Sequence, residues 1–105
     1  SRDDDRGTRA AATLFKPLGN PQRLELLRLL SESPRSVGDL AEAAGLSQPL
    51  TSQHLRTLKG VAAVRSVREG RSVRYSLADH HIEHIVADAL AHHGHHQDDE
   101  EHSHD

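Results

Sequence analysis

At 105 residues and 34% apolar, with one Phe, one Tyr and no Trp, the chain has room for one modest aliphatic core, and dimerisation is expected to supply part of its stability. It has no cysteine, which removes disulfides, thiolate metal sites and thiol redox sensing, and no apolar run approaches the roughly 20 residues of a membrane span, so a cytoplasmic protein is expected. The net charge of −3 hides a division: all 13 Lys and Arg lie between Arg2 and Arg74, whereas the stretch from Asp79 onward holds eight acids, nine of the ten His and no Lys or Arg, which suits one surface for a polyanion and another for a cation.

Residues 1–7 are charged and aperiodic and read as a disordered lead-in. A short first helix is expected over residues 8–18, with Ala11, Leu14, Phe15 and Leu18 at helical spacing and Pro17 distorting its end. Asn20 and Pro21 supply an N-cap and a first-turn proline for a leucine-dense helix that reaches about Ser31. After the break at Ser33-Pro34-Arg35, Ser36-Val37-Gly38-Asp39 has the outline of a capping box, with Asp in place of Glu, and opens a short helix that Gly45 ends.

Gln48-Pro49 opens a further helix in which Leu50, Leu55 and Leu58 face inward while Thr51, Ser52, Gln53 and Arg56 point elsewhere. Two short helices around a tight glycine-containing turn form a helix-turn-helix signature. Val64–Arg68 and Ser72–Leu77 alternate around Glu69-Gly70-Arg71 and predict a β-hairpin, the wing. Asp79 can cap a last helix from His80 to about His93, with Gly94 as its stop and residues 96–105 as a disordered His- and acid-rich tail. The expected fold is therefore mainly α with a small β-hairpin wing: a winged helix-turn-helix domain over residues 8–95, with four helices, two strands and a fifth helix in order.

Ser47, Gln48, Thr51, Ser52, Gln53 and Arg56 are the residue types that reach base edges and phosphates from a major groove, and the hairpin adds Arg65, Arg68, Arg71 and Arg74. Six basic residues against the single acid Glu69 between Arg56 and Arg74 suit a surface laid along a phosphate backbone. The segments LSQPLTSQHLRTLK (46–59) and VREGRSVRYSL (67–77), with LGNPQRLELLRLL upstream, resemble the signature of the ArsR/SmtB family over roughly residues 10–95. The resemblance implies a symmetric homodimer packed through its first and last helices. It also implies a regulator that binds an inverted-repeat operator in double-stranded DNA. One departure stands out: the family's Ala-Gly-Leu-Val turn after the recognition helix is Val61-Ala62-Ala63-Val64 here, with the glycine displaced to Gly60.

On the last helix Ile82, Ile85, Val86, Ala89 and Leu90 form an apolar stripe, and His81, Asp88, His92 and His95 fall along one of its edges if the helix persists past Gly94. His81 and His92 lie eleven residues and about 16 Å apart along the axis, so one helix cannot chelate an ion with both. Two such helices packed antiparallel in a dimer would bring Asp79 and His81 of one beside His92 and His95 of the other. Asp79, His81, His92 and His95 also fill the ligand pattern of the zinc, cobalt and nickel sensors of the family that the chain resembles. Three imidazoles and a carboxylate suit zinc; recruiting His96, His102 or His104 would approach the six-coordination of nickel, which the surplus of His favours slightly.

The leading expectation is a repressor released from DNA by Ni2+ or Zn2+. An activator, a regulator driven by a partner protein, and a metal-buffering protein on a winged-helix scaffold stay open beside it. No nucleophile–base pair or phosphate-cradling loop points to an enzyme.

Overall fold

The computed structural model describes residues 2–103 of the chain, with side chains described through residue 92. The elements run α1 (Arg2–Leu18), α2 (Pro21–Glu32), β1 (Arg35–Ser36), α3 (Val37–Ala44), α4 (Gln48–Gly60), β2 (Val64–Glu69), β3 (Ser72–Leu77) and α5 (His80–Ser103). This is a winged helix-turn-helix, with α3 and α4 as the motif and β2–β3 as the wing.

Side-chain caps set the starts of α2, α3 and α4. Asn20 Oδ1 accepts from the Arg23 N–H at 3.0 Å, Ser36 Oγ from Asp39 N–H at 3.1 Å and Ser47 Oγ from Leu50 N–H at 3.2 Å. Pro21 and Pro49 sit in first turns, where a missing N–H costs nothing. α3 and α4 end alike. Gly45 N–H bonds the Glu42 carbonyl and Leu46 N–H that of Ala41; Ala62 N–H bonds the Lys59 carbonyl and Ala63 N–H that of Leu58. Both are Schellman ends with one left-handed residue, Gly45 at φ 69° and Ala62 at φ 56°. The turn without a glycine thus keeps the glycine geometry and places it on an alanine.

α2 is the hub, packing against α1, α3, α4, α5 and β3. Leu26, Leu27, Leu29 and Leu30 from it meet Leu18, Leu40, Leu55, Leu58, Val64, Leu77, Ile82 and Val86 in one core. The wing closes through Gly70-Arg71, with Glu69 opposite Ser72 and only Gly70 at positive φ (63°), the arrangement of a two-residue loop led by glycine.

Three boundaries differ from expectation. α1 begins at Arg2 and takes in the segment expected as a disordered lead-in; Asp3, Asp4 and Asp5 lie in its first turn, where carboxylates favour the positive end of the helix dipole. Arg35–Ser36, expected as the end of a break and the cap of the next helix, also pairs with β3 as a third strand in the order β1-β3-β2, too short for any periodicity to reveal. α5 runs through Gly94 to Ser103 instead of stopping there; a lone helical glycine costs only about 1 kcal/mol relative to alanine. Among the described residues no helix is long and apolar enough to cross a membrane.

Candidate nucleic-acid interface and metal-ligand helix

The inward face of α4 is built from Thr51, His54, Leu55 and Leu58. Thr51, expected at the DNA-facing surface, is 0% exposed, and its hydroxyl donates to the Ser47 carbonyl at 2.8 Å. Its methyl and satisfied hydroxyl let it stand where an apolar residue would, which a polar-type reading of the sequence misses. Of the other residues of that set, Ser47, which caps α4, and Gln48, Gln53 and Arg56 on it are exposed, and Ser52 is half-buried.

The wing divides its arginines. Val64 and Leu77 pair across the strands and both are buried, which fixes the core-side face of the hairpin; Ser66 opposite Tyr75 and Arg68 opposite Val73 continue that face. Lys59 on α4 donates to Ser66 Oγ at 2.7 Å, and Ser52, Leu55, Arg56, Lys59 and Tyr75 line one groove between α4 and the sheet. Arg68 therefore stands on the α4 side of the wing, with Arg71 in its turn. Arg65 and Arg74 occupy the reverse face. Arg65 donates to Ser76 Oγ at 3.1 Å and shares a surface depression with Asp79, His80 and Glu83, whereas Arg74 lies 3.5 Å from Glu69. The ten expected contact residues thus separate into a continuous α4–wing surface, a buried threonine and two arginines on the back of the sheet. Lys59, missing from the expected contact set, belongs with the first group.

His54 is the one histidine that lies outside the stretch from Asp79 onward, and the sequence analysis assigned it no role. It is 7% exposed, with its Nδ1 3.3 Å from Arg23 Nη1 and its Nε2 2.8 Å from Gln22 Oε1. A guanidinium can only donate, so Nδ1 accepts, the proton sits on Nε2, and the ring is neutral. Burial holds the imidazole below the ordinary histidine value, and the Arg23 charge adds to that effect. No spacing rule could have found this residue, since its partners are more than thirty positions away.

On α5, Asp79 Oδ1 accepts from the Ile82 N–H at 2.9 Å and caps the helix, while its Oδ2 makes no hydrogen bond among the described residues. His81 and His92 are exposed on the same continuous helix, and His80 is tied to Glu83 at 3.2 Å. His95 lies within the helix, since α5 persists past Gly94, but the side chains of His95, His96 and His102, and His104 altogether, fall outside the described residues. Among the described residues no three His, Asp or Glu side chains of one protomer come together as a metal cage. The donor set still fits a divalent ion: one free carboxylate oxygen and exposed imidazoles, none of them committed to the core.

The apolar stripe of α5 is split. Ile82 and Val86 are buried in the core, whereas Ala89 and Leu90 are uncovered, Leu90 at 43% exposure. On α1 only Leu18 is buried, and Phe15 is 52% exposed. Phe15, Leu18, Leu24, Ile85, Val86 and Ala89 line one apolar groove between the two helices.

The profile described as "Bacterial regulatory protein, arsR family" matches residues 20–61. The chain is 48% identical over 85 residues to the HTH-type transcriptional repressor SmtB of Mycobacterium tuberculosis, covering 81% of this chain and 63% of that protein. It is 37% identical over 92 residues to the HTH-type transcriptional regulator NmtR of the same organism, covering 88% of this chain and 77% of NmtR. Its fold is similar to that of the homodimeric winged helix-turn-helix DNA-binding domain (fragment 1–100) of Mb0332 from Mycobacterium bovis. The TM-score is 0.87 at 28% identity, covering 92% of this chain and 90% of that one.

Proposed function

Because the chain belongs to the arsR family of bacterial regulatory proteins and is not an enzyme, we propose that it is a homodimeric DNA-binding transcription regulator, most simply a repressor, that a divalent transition metal releases from an inverted-repeat operator. The observation that carries this reading is the separation of two surfaces on one small fold. A cationic, hydrogen-bonding strip of Gln48, Ser52, Gln53, Arg56 and Lys59 continues into Arg68 and Arg71. A carboxylate and imidazoles stand on the separate helix α5, beside an uncovered apolar face.

The parts act as follows. α4 enters a major groove with its Ser47–Arg56 edge towards the bases, and Lys59, Arg68 and Arg71 neutralise phosphates. The Phe15–Leu90 face meets its copy, which sets the distance between the two α4 helices and hence the half-site spacing. Asp79 and His81, with the partner subunit's His92 and His95, would hold the metal, nickel slightly ahead of zinc, and the ion would supply a cross-link between the two α5 helices. His96, His102 and His104 are further candidate ligands. A preference of one dimer geometry over another by about 1 to 3 kcal/mol gives a 5- to 150-fold change in DNA affinity, enough for a switch. Residues 8–95 form the working domain in this reading.

Calorimetric titration of the metal-free protein with nickel and with zinc, followed by gel shift on an inverted-repeat duplex, tests the reading. About one ion per subunit and a metal-dependent loss of DNA affinity are expected. His81→Ala with His92→Ala should abolish the response while leaving metal-free DNA binding intact. Asp79→Asn should keep the helix cap, since asparagine caps as well as aspartate, yet weaken metal binding. DNA binding indifferent to both ions would leave a partner-driven regulator, and metal binding without DNA affinity would leave a metal buffer.

A further inference from the structure

We propose that Arg23 and His54 are positioning residues that tie the end of α1 to the recognition helix, so that the seat of α4 follows the placement of α1. The Arg23 guanidinium donates from Nε to the Pro17 carbonyl at 2.6 Å and from Nη1 to His54 Nδ1 at 3.3 Å. His54 in turn donates from Nε2 to Gln22 Oε1 at 2.8 Å. Three helices thus meet through one planar cation on α2: the last turn of α1, the first turn of α2 and the buried side of α4. The Pro17 carbonyl lies in the last turn of α1, where carbonyls have no helical partner, so Arg23 satisfies a group that would otherwise be orphaned.

The geometry of the guanidinium makes this a link rather than a pair of separate contacts. Its donors are fixed in one plane, so a shift of the α1 end that tilts Nε also swings Nη1 away from His54. His54 cannot follow freely, because its other nitrogen is held by Gln22 and its ring is buried. Its neighbour Gln53 is exposed on the proposed DNA edge, so a change in the seat of His54 is a change in the presentation of that edge. α1 also carries Phe15, two residues before Pro17, on the face proposed to meet the second copy. The link itself needs only the fold; its use in sensing rests on the metal-responsive reading above.

The test compares Arg23→Lys, His54→Gln, His54→Asn and the Arg23→Lys/His54→Gln double variant of the full chain. Asparagine can place its oxygen where Nδ1 accepts from Arg23, whereas glutamine places its amide near Nε2 and leaves Arg23 without that acceptor. Affinity for an inverted-repeat duplex is read by fluorescence anisotropy in metal-free buffer over a range of salt. Arg23→Lys and His54→Gln are each expected to lose about 5- to 10-fold, and the double variant no more than one of them, because both break the same link. The salt slope should stay that of the unmodified protein, since neither residue contacts phosphate, and His54→Asn should retain affinity within about twofold.

Additive losses, unchanged affinity in both single variants, a reduced salt slope, or His54→Asn as weak as His54→Gln would each overturn the proposal. Should His54→Gln fail to fold, Arg23→Lys and His54→Asn still decide between link and packing. In a second arm, nickel or zinc is added; the variants should bind metal as the unmodified protein does but show a smaller metal-dependent change in DNA affinity. If the unmodified protein itself ignores both ions, the metal-responsive reading fails, while the metal-free arm still decides the link.

Discussion

Arg65 and Arg68 sit three positions apart on β2 with the same charge, and the register of β2 on β3 turns them to opposite faces of the wing. Arg68 continues the α4 surface, whereas Arg65 is tied to Ser76 and faces Asp79 and Glu83 across a shallow depression. Arg68→Ala is expected to weaken DNA binding for all sequences and to reduce the salt slope by about one, while Arg65→Ala leaves the slope unchanged. Equal slopes for the two variants in a salt titration would contradict this division. His54 offers a second prediction. Its folded-state value is lowered, so the unfolded chain binds its proton first as the pH falls. The stability that His54 contributes is fully present above the ordinary histidine value of 6.5 and is lost as the pH drops through the lower folded-state value. His54→Gln should therefore narrow the gap between urea midpoints measured at pH 7.5 and pH 5.5.

At the scale of elements, the ends of α3 and α4 form a natural comparison. Both close with the same pair of backbone hydrogen bonds, yet one puts glycine and the other alanine at positive φ. A side chain in the left-handed region costs roughly 1 kcal/mol, against which a glycine loses more freedom on folding. Ala62→Gly is expected to stabilise the domain by about 0.5 to 1 kcal/mol, and Gly45→Ala to destabilise it by a similar amount, both read from urea denaturation. A neutral or destabilising Ala62→Gly would mean that the Ala62 methyl contributes more at the helix–wing junction than its backbone strain costs. The same junction carries the Lys59–Ser66 hydrogen bond that joins α4 to the wing, so its geometry sets how the two elements proposed to face DNA are aligned.

At the scale of the whole molecule, the face between α1 and α5 is uncovered in a single copy of the chain. Phe15 at 52% and Leu90 at 43% exposure flank a groove with almost entirely apolar walls, in a chain whose core is otherwise closed by aliphatic side chains. A second copy is the proposed cover, and Phe15→Glu with Leu90→Glu should give a monomer by sedimentation that has lost tight binding to the inverted repeat but keeps its helical content. A dimer that survives both substitutions would place the interface elsewhere.

Local chemistry made most of the fold legible. Asn20 and Ser36 announced two helix starts through caps, Pro49 a third as a first-turn proline, and Gly70 announced the wing turn. The leucines of α2 declared a buried helix, and Asp79 declared the start of α5. These signals act within four residues or so, which is why a single sequence carries them. Less local features had to wait for the tertiary structure. Thr51 is core because a hydroxyl can bond back to its own helix, and the four wing arginines divide because strand register, not residue type, assigns faces. His54 acquires a role only when folding brings Gln22 and Arg23 to it. The five helices, the wing, the basic and acidic halves and the histidines and acids of α5 could be read from the chain alone; burial and long-range contact, which depend on how elements pack, decided the short strand β1 and which of those side chains share a surface.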